Sequence, residues 1–363
     1  MPTKQSTPEP RKRPDAASTV ERLSERKDRI LRALVHLYVR SGEPIGSEAI
    51  SQVVQLGVSS ATIRNELAAL EEMGYLTQPH TSAGRIPTDA GYRYFVDTLP
   101  GTTRLRDPER REIVHFFGEA LADVDEILRG TTHLLSRLTR YASLALAPSR
   151  EASSLARMEL VNLGSAALLL VVFDTGRVDK RAIELPPETT DEHLDRISRG
   201  LWERFRGWTL SAARGAVAEQ ARGASDPERA ILIRVADELG SIDEPAHSAE
   251  HVFLGGAANI AVEESFQRSE TLREIFEALE RETEVLELLR DASNRPFAVT
   301  IGAESPMTGM WDASFVAASY GTGEKTLGTI GVVGPTRMDY AAAITAVRAV
   351  AARLSQAVEA LSH

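Results

Sequence analysis

Between residues 24 and 73 the apolar side chains recur at helical spacing in successive runs, and a turn signal cuts each run before the next begins. Ile30, Leu31, Leu34, Val35, Leu37 and Tyr38 form the first run, a helix over 24–41, stopped by Ser41-Gly42-Glu43-Pro44. A short second helix, capped by Ser47, turns Ile50, Val53 and Val54 inward. The tight turn Leu56-Gly57-Val58-Ser59 leads to a third helix that runs to about Met73 with Ile63, Leu67 and Leu70 on one face. Tyr75-Leu76 then opens a strand, Gly84-Arg85-Ile86-Pro87 opens its return, and Thr88 caps a further helix through Tyr92 and Phe95. Three short helices followed by a two-stranded hairpin leave few folds open. The plan is that of a winged helix-turn-helix.

The rest of the chain mixes the two periods. Residues 1–20, with Pro2, Pro8, Pro10, Pro14 and the cluster Arg11-Lys12-Arg13, read as a disordered tail. Residues 107–146 read as amphipathic helix joining head to body. Strands are expected at 158–163, 168–173 and 178–185, with the Asp174-Thr175-Gly176 turn between the last two and a helix near 188–206. Residues 209–250 and 267–291 read as helical, with a short apolar segment Phe253–Ile260 between them. Strands return at 297–303, 313–320 and 327–333, before a closing helix from Asp339 to Leu361. Strands in two blocks with a mostly helical stretch between them imply an α+β multidomain chain in which one α/β domain carries another inserted into it. At about 150 residues per domain, 363 residues allow two to three such units.

Charge and cysteine usage narrow the function. The net charge is −10, which by itself argues against wholesale polyanion binding. Residues 1–98, however, carry 13 basic and 12 acidic side chains, so the acidity belongs to the remainder and a DNA contact in the head stays open. The sequence contains no cysteine, which excludes disulfides, zinc fingers, iron–sulfur clusters and thiol nucleophiles. Its eight histidines form no ligating pair, so no metal or cofactor is expected. The longest apolar run, Ala166–Phe173, is far short of the ~18 residues a membrane span needs. A cytoplasmic protein without a membrane partner is the expectation. Gly321-Thr322-Gly323-Glu324-Lys325-Thr326 lacks phosphate-loop spacing because Glu324 precedes the lysine, and no catalytic constellation stands out.

With Ile63, Leu67 and Leu70 inward, the third helix turns Ala61, Thr62, Arg64, Asn65 and Ala68 outward. Small residues let a helix sit deep in a major groove. Arg64 can bond guanine O6 and N7, and Asn65 adenine N6 and N7. Ser59 and Ser60 stand at the helix N-terminus, where hydroxyls and free N–H groups suit a phosphate. His80, Thr81, Ser82 and Arg85 lie where a wing should be and can donate to phosphates. A plain capped surface helix and a polar hairpin loop remain the alternatives for either segment alone. Arg337 and Tyr340, in the turn after Gly334-Pro335, either bind a ligand anion or tie the turn to the core.

Three runs, Gly42–Ser47, Gly57–Glu66 and Gly74–Thr88, resemble the HrcA family of heat-inducible transcription repressors, and Gly200–Leu210, Gly255–Leu289 and Gly328–Tyr340 are similar to that family's other markers. The resemblance runs from about residue 22 to near the C-terminus. It implies a winged-helix head at 21–100, a connector at 101–150, a GAF-like domain in two halves at 151–210 and 295–363, and a mostly helical dimerisation domain inserted at 211–294. It further implies a homodimeric, non-enzymatic repressor that binds double-stranded DNA at the CIRCE inverted repeat upstream of chaperonin and DnaK operons, with the GroEL chaperonin holding its active form. The residues at 59–65 and 80–85 fall on that family's DNA contacts. The alternative is a winged-helix regulator controlled by a small ligand in its GAF-like domain.

Overall fold

The computed structural model describes residues 22–54, 57–80, 83–100, 104–118, 123–148, 153–243, 251–262, 269–307, 310–323 and 325–361. The expected tail at 1–20 lies outside them.

The head forms as the periodicity predicts. Helix α1 (Glu25–Ser41) starts at Ser24, whose hydroxyl accepts the Lys27 amide, and stops at Gly42, which takes the left-handed φ of 69°. Its inner face, Ile30, Leu31, Leu34 and Val35, is buried against α2 (Ser47–Val53) and α3 (Ser60–Glu72). Ser47 does not cap α2; Gly46 holds that position, and the Ser47 hydroxyl bonds that of Ser60 at 3.1 Å, fixing the two helices of the motif to each other. The wing strands β1 (Leu76–Thr77) and β2 (Ile86–Pro87) pair antiparallel. Ile45, between α1 and α2, adds an antiparallel bridge to Arg85 with both N···O distances at 2.9 Å. Gly84 makes that bridge possible, since a Cβ there would lie 2.5 Å from the Ile45 carbonyl carbon. Helix α4 (Asp89–Asp97) is capped by Thr88, whose hydroxyl accepts from Gly91 N and donates to Gly74 O.

The body departs from the expected boundaries. Helices α5 (Asp107–Gly118) and α6 (Val124–Thr139) are followed by strand β3 (Ala142–Leu146), so the helical connector ends at Arg140, which caps α6 with φ 64°. Every residue of β3 is buried, so its run of small and apolar residues showed no alternation that would mark a strand. The next three strands, β4 (Leu155–Asn162), β5 (Ala166–Phe173) and β6 (Val178–Glu184), form a sheet of their own in the order β4-β5-β6. Helices α7 (Asp191–Phe205), α8 (Leu210–Gly223) and α9 (Glu228–Asp243) share one core with that sheet. The inserted unit is therefore 155–243, half sheet and half helix, in place of the mostly helical 211–294.

The chain then returns to β3. Strand β7 (Val252–Gly255) pairs with it, and β8 (Phe297–Ile301), β9 (Ala313–Thr322) and β10 (Lys325–Pro335) complete an antiparallel sheet in the order β7-β3-β10-β9-β8. The described residues of 151–210 thus contribute no strand to the sheet that holds 297–335. Alternate residues of this sheet face two cores. Val316, Ala318, Ile330 and Val332 meet α6 and α13 (Tyr340–Leu361). Phe315, Ala317 and Val333 meet α10 (Ala257–Val262), α11 (Ser269–Glu280) and α12 (Glu282–Ser293). Helices on both faces explain why β10 is buried almost from end to end.

The head docks on this sheet through α4. Arg93 pairs with Glu304 (Nε to Oε1 2.8 Å) and donates to the Val299 carbonyl at 2.7 Å. Asp89 accepts the Ala303 amide at 3.0 Å, and the Tyr92 ring lies 5.6 Å from that of Tyr340.

Candidate nucleic-acid interface

Helix α3 presents the face expected of a reading helix. Ile63, Leu67 and Leu70 are fully or almost fully buried, while Ser59, Ala61, Arg64 and Asn65 are exposed and Thr62 and Ala68 half-buried. The Ser59 hydroxyl accepts the Thr62 amide at 3.2 Å and lies 3.1 Å from the Thr62 hydroxyl, so the helix start is ordered by its own cap. Ser60 is half-buried and engaged with Ser47, which removes it from the groove-facing set. Arg64 and Asn65 stand next to each other with no hydrogen bond or ion pair of their side chains among the described residues. The helix itself is held from behind. Glu66 receives Lys27 at 2.9 Å and Arg26 at 3.4 Å from α1. Arg26 and Lys27, on the first turn of α1, are thereby spent on positioning α3, a role no spacing rule would have picked out.

The wing differs from the sequence expectation in one residue. The Arg85 guanidinium lies on Glu71 of α3, with Nε and Nη2 both 2.8 Å from Oε2. Arg85 is half-buried, its backbone pairs with Ile45, and its side chain pins the wing to the end of α3. It is not a free phosphate donor here. His80 is exposed at the wing tip, with its carbonyl accepting the Ala83 amide, and Gln78 closes the same loop on Ala83 O at 2.8 Å. Thr81 and Ser82 lie outside the described residues.

The Arg337–Tyr340 turn resolves toward the structural alternative. Tyr340 is buried, its hydroxyl 2.7 Å from both Thr336 O and the Ser314 hydroxyl. Burial holds its acidity far below that of an ordinary tyrosine, and burial beside Tyr340 does the same to Tyr92. The Arg337 guanidinium sits against Gly42, where a Cβ would lie 2.5 Å from Nη1, and its charge partly offsets the upward push that burial gives the Tyr38 hydroxyl. These two residues join the end of α1 and the middle of α4 to the sheet. Of the sequence-expected residues, the structure brings Ser59, Thr62, Arg64 and Asn65 together on one exposed helix end, leaves His80 on the wing, and places Arg337 and Tyr340 at the joint instead.

Among the described residues no group of three histidine, aspartate or glutamate side chains is placed to hold a metal ion, and no helix is long and apolar enough to cross a membrane.

Comparison with known proteins gives the family. The family model for the winged helix-turn-helix transcription repressor, HrcA DNA-binding, matches residues 22–98, and the HrcA protein C-terminal domain matches residues 125–344. The heat-inducible transcription repressor HrcA of Nocardia farcinica is 44% identical over 343 residues, covering 93% of this chain and 96% of that protein. That of Thermobifida fusca is 43% identical, covering 92% and 96%, and that of Moorella thermoacetica 37% identical, covering 94% and 99%. A crystal structure of a hypothetical protein at 2.2 Å shares the fold with a TM-score of 0.70 at 24% identity, covering 94% of this chain and 100% of that one.

Proposed function

The chain belongs to the HrcA family of heat-inducible transcription repressors, and from that membership we propose that it silences chaperone operons as a homodimer bound to a CIRCE-type inverted repeat. Its relatives are transcription repressors, and this chain is a DNA-binding regulator rather than an enzyme. The observation that carries the operator reading is the exposed Arg64–Asn65 pair on the capped end of α3, whose side chains have no partner among the described residues. Those side chains read base edges, Ser59 and Thr62 meet phosphate at the helix start, and His80 of the wing tracks the backbone alongside.

An inverted repeat needs two heads on a two-fold axis. The outer face of the inserted sheet supports the pairing. Leu168, Leu170 and Val172 lie half-buried along the central strand, with Val161 and Ala182 beside Leu168, Val178 and Arg157 beside Val172, and Glu159 and Lys180 beside Leu170. An apolar stripe on the side away from its own helices is a self-complementary surface for a second copy. Signal input is read from the family: the chaperonin GroEL holds the repressor active in the cytoplasm, and heat-damaged protein draws it away. The absence of cysteine supports that reading in one respect, because it leaves no thiol switch.

Footprinting on the operator and on a scrambled duplex tests the proposal. The double variant Arg64→Ala, Asn65→Ala should lose the difference between the two DNAs, at about 1–3 kcal/mol per lost base contact, with its fold unchanged. Equal loss on both duplexes would mean that these side chains touch only phosphate. Omitting GroEL after a heat step should abolish operator protection, and undiminished protection would end the chaperonin reading.

A further inference from the structure

We propose that the cleft between head and body is a binding site for a small amphipathic organic anion, one carboxylate or sulfonate group on an apolar body. The cleft has a volume of about 960 Å³ and is walled by the second half of α4, by Leu99, Pro100, Arg104 and Leu105, by the start of α5, by the edge strand β8 and by one face of α13. That is the size of ligand sites in general, and such sites sit by preference between domains.

Its chemistry is two-sided. Phe297, Val299 and Ile344 supply an apolar floor, each half-buried rather than sealed into the core. Above it stand five arginines, 93, 104, 110, 295 and 348, against the carboxylates of Asp97 and Asp107. Three of the five are engaged. Arg93 holds Glu304 and the Val299 carbonyl, Arg110 holds Asp107, and Arg348 lies over the Phe297 ring at 4.2 Å. The guanidinium groups of Arg104 and Arg295 have no hydrogen bond or ion pair among the described residues. Like charges gathered in one recess repel, and an anion placed between them relieves that cost. A planar guanidinium beside an apolar floor recognises a carboxylate or sulfonate bidentately while the floor takes the rest of the molecule.

Operator DNA is the poorer occupant. No described residue of α3 or of the wing lines the cleft, and a sugar-phosphate backbone has nothing to lay against Phe297 and Ile344. An occupant would touch α4 of the head and β8 and α13 of the body at once, beside the Arg93–Glu304 contact that holds the two together. Ligand binding therefore favours the docked head over any released position.

The test does not read operator binding, so its failure leaves operator recognition standing. The full chain is titrated with 8-anilinonaphthalene-1-sulfonate as the probe, and octanoate, inorganic phosphate and a non-operator duplex are used as competitors. One probe per chain is expected, displaced by octanoate and weakened about tenfold or more by Arg104→Ala or Arg295→Ala, the loss of one charge-assisted contact. Both arginines are exposed, so these variants keep the fold. Ile344→Asp should weaken the probe as well, and octanoate should raise the thermal midpoint of the wild-type chain but not of Arg295→Ala. Probe affinity unchanged in both arginine variants would overturn the site. Displacement by phosphate as effective as by octanoate would overturn the amphipathic ligand, and displacement by the duplex would reassign the cleft to DNA.

Discussion

Arg85 shows how a single side chain can be right for a site by type and wrong by connection. In sequence it is one more donor in a polar wing. In the fold its guanidinium is bidentate on Glu71, and its backbone is bridged to Ile45. The pair is partly exposed, so its own stability is worth no more than about 1 kcal/mol. What it controls is where the wing stands relative to α3. Arg85→Ala and Glu71→Ala should then weaken operator binding alike, with little change in the salt dependence, as measured by titration across ionic strengths. If Arg85 were a phosphate contact held in reserve, Glu71→Ala would free it and tighten binding, and Arg85→Ala would reduce the salt slope by about one. Arg64 and Asn65 are the opposite case, legible from sequence because helical period alone decides which side of α3 they occupy.

At the scale of elements, the head is set by close backbone approach. The bridge from Ile45 to Arg85 turns a two-stranded wing into a structure anchored at the start of α2, and it leaves no room for a side chain at Gly84. Gly84→Ala must push the wing off Ile45, since the obstacle is backbone, at a cost of about 1–3 kcal/mol. Thermal unfolding should show that loss, and operator affinity should fall with it although no DNA-facing group has changed. An unaltered midpoint would mean the wing moves freely. The turn signals made the helices and the hairpin readable, because each is written in adjacent residues. The Ile45 bridge was not readable, because a single paired residue has no period.

For the whole molecule, the inserted unit carries the proposed dimer interface. Its sheet turns Leu169, Val171 and Phe173 into its own core and Leu168, Leu170 and Val172 outward, a strict alternation along β5. Leu170→Glu leaves that core untouched, removes the middle of the apolar stripe and sets a second carboxylate beside Glu159. Light scattering should find monomers, with cooperative operator binding lost and a native circular dichroism spectrum. A dimer that survives this change would move the two-fold axis elsewhere. The acidic balance of the chain beyond residue 98 fits a body that stays off the DNA while the near-neutral head reaches it.

Local pattern determined the winged-helix head, the outward face of α3 and the positions of β4–β6 and β8–β10 to within a few residues. Those properties depend on neighbours three or four positions apart, and the sequence holds them directly. Which strands share a sheet depended on pairings between residues as distant as Leu144 and Gly331, or Ser143 and Gly255. Neither periodicity nor composition encodes such partners. That is why 155–184 was assigned to the wrong sheet, why β3 passed for the end of a helix, and why Arg337 and Tyr340 proved to be a joint. The cleft at the head–body boundary is of the same kind. Its arginines are scattered from residue 93 to residue 348, and only the packing of α4, β8 and α13 against one another brings them to one place.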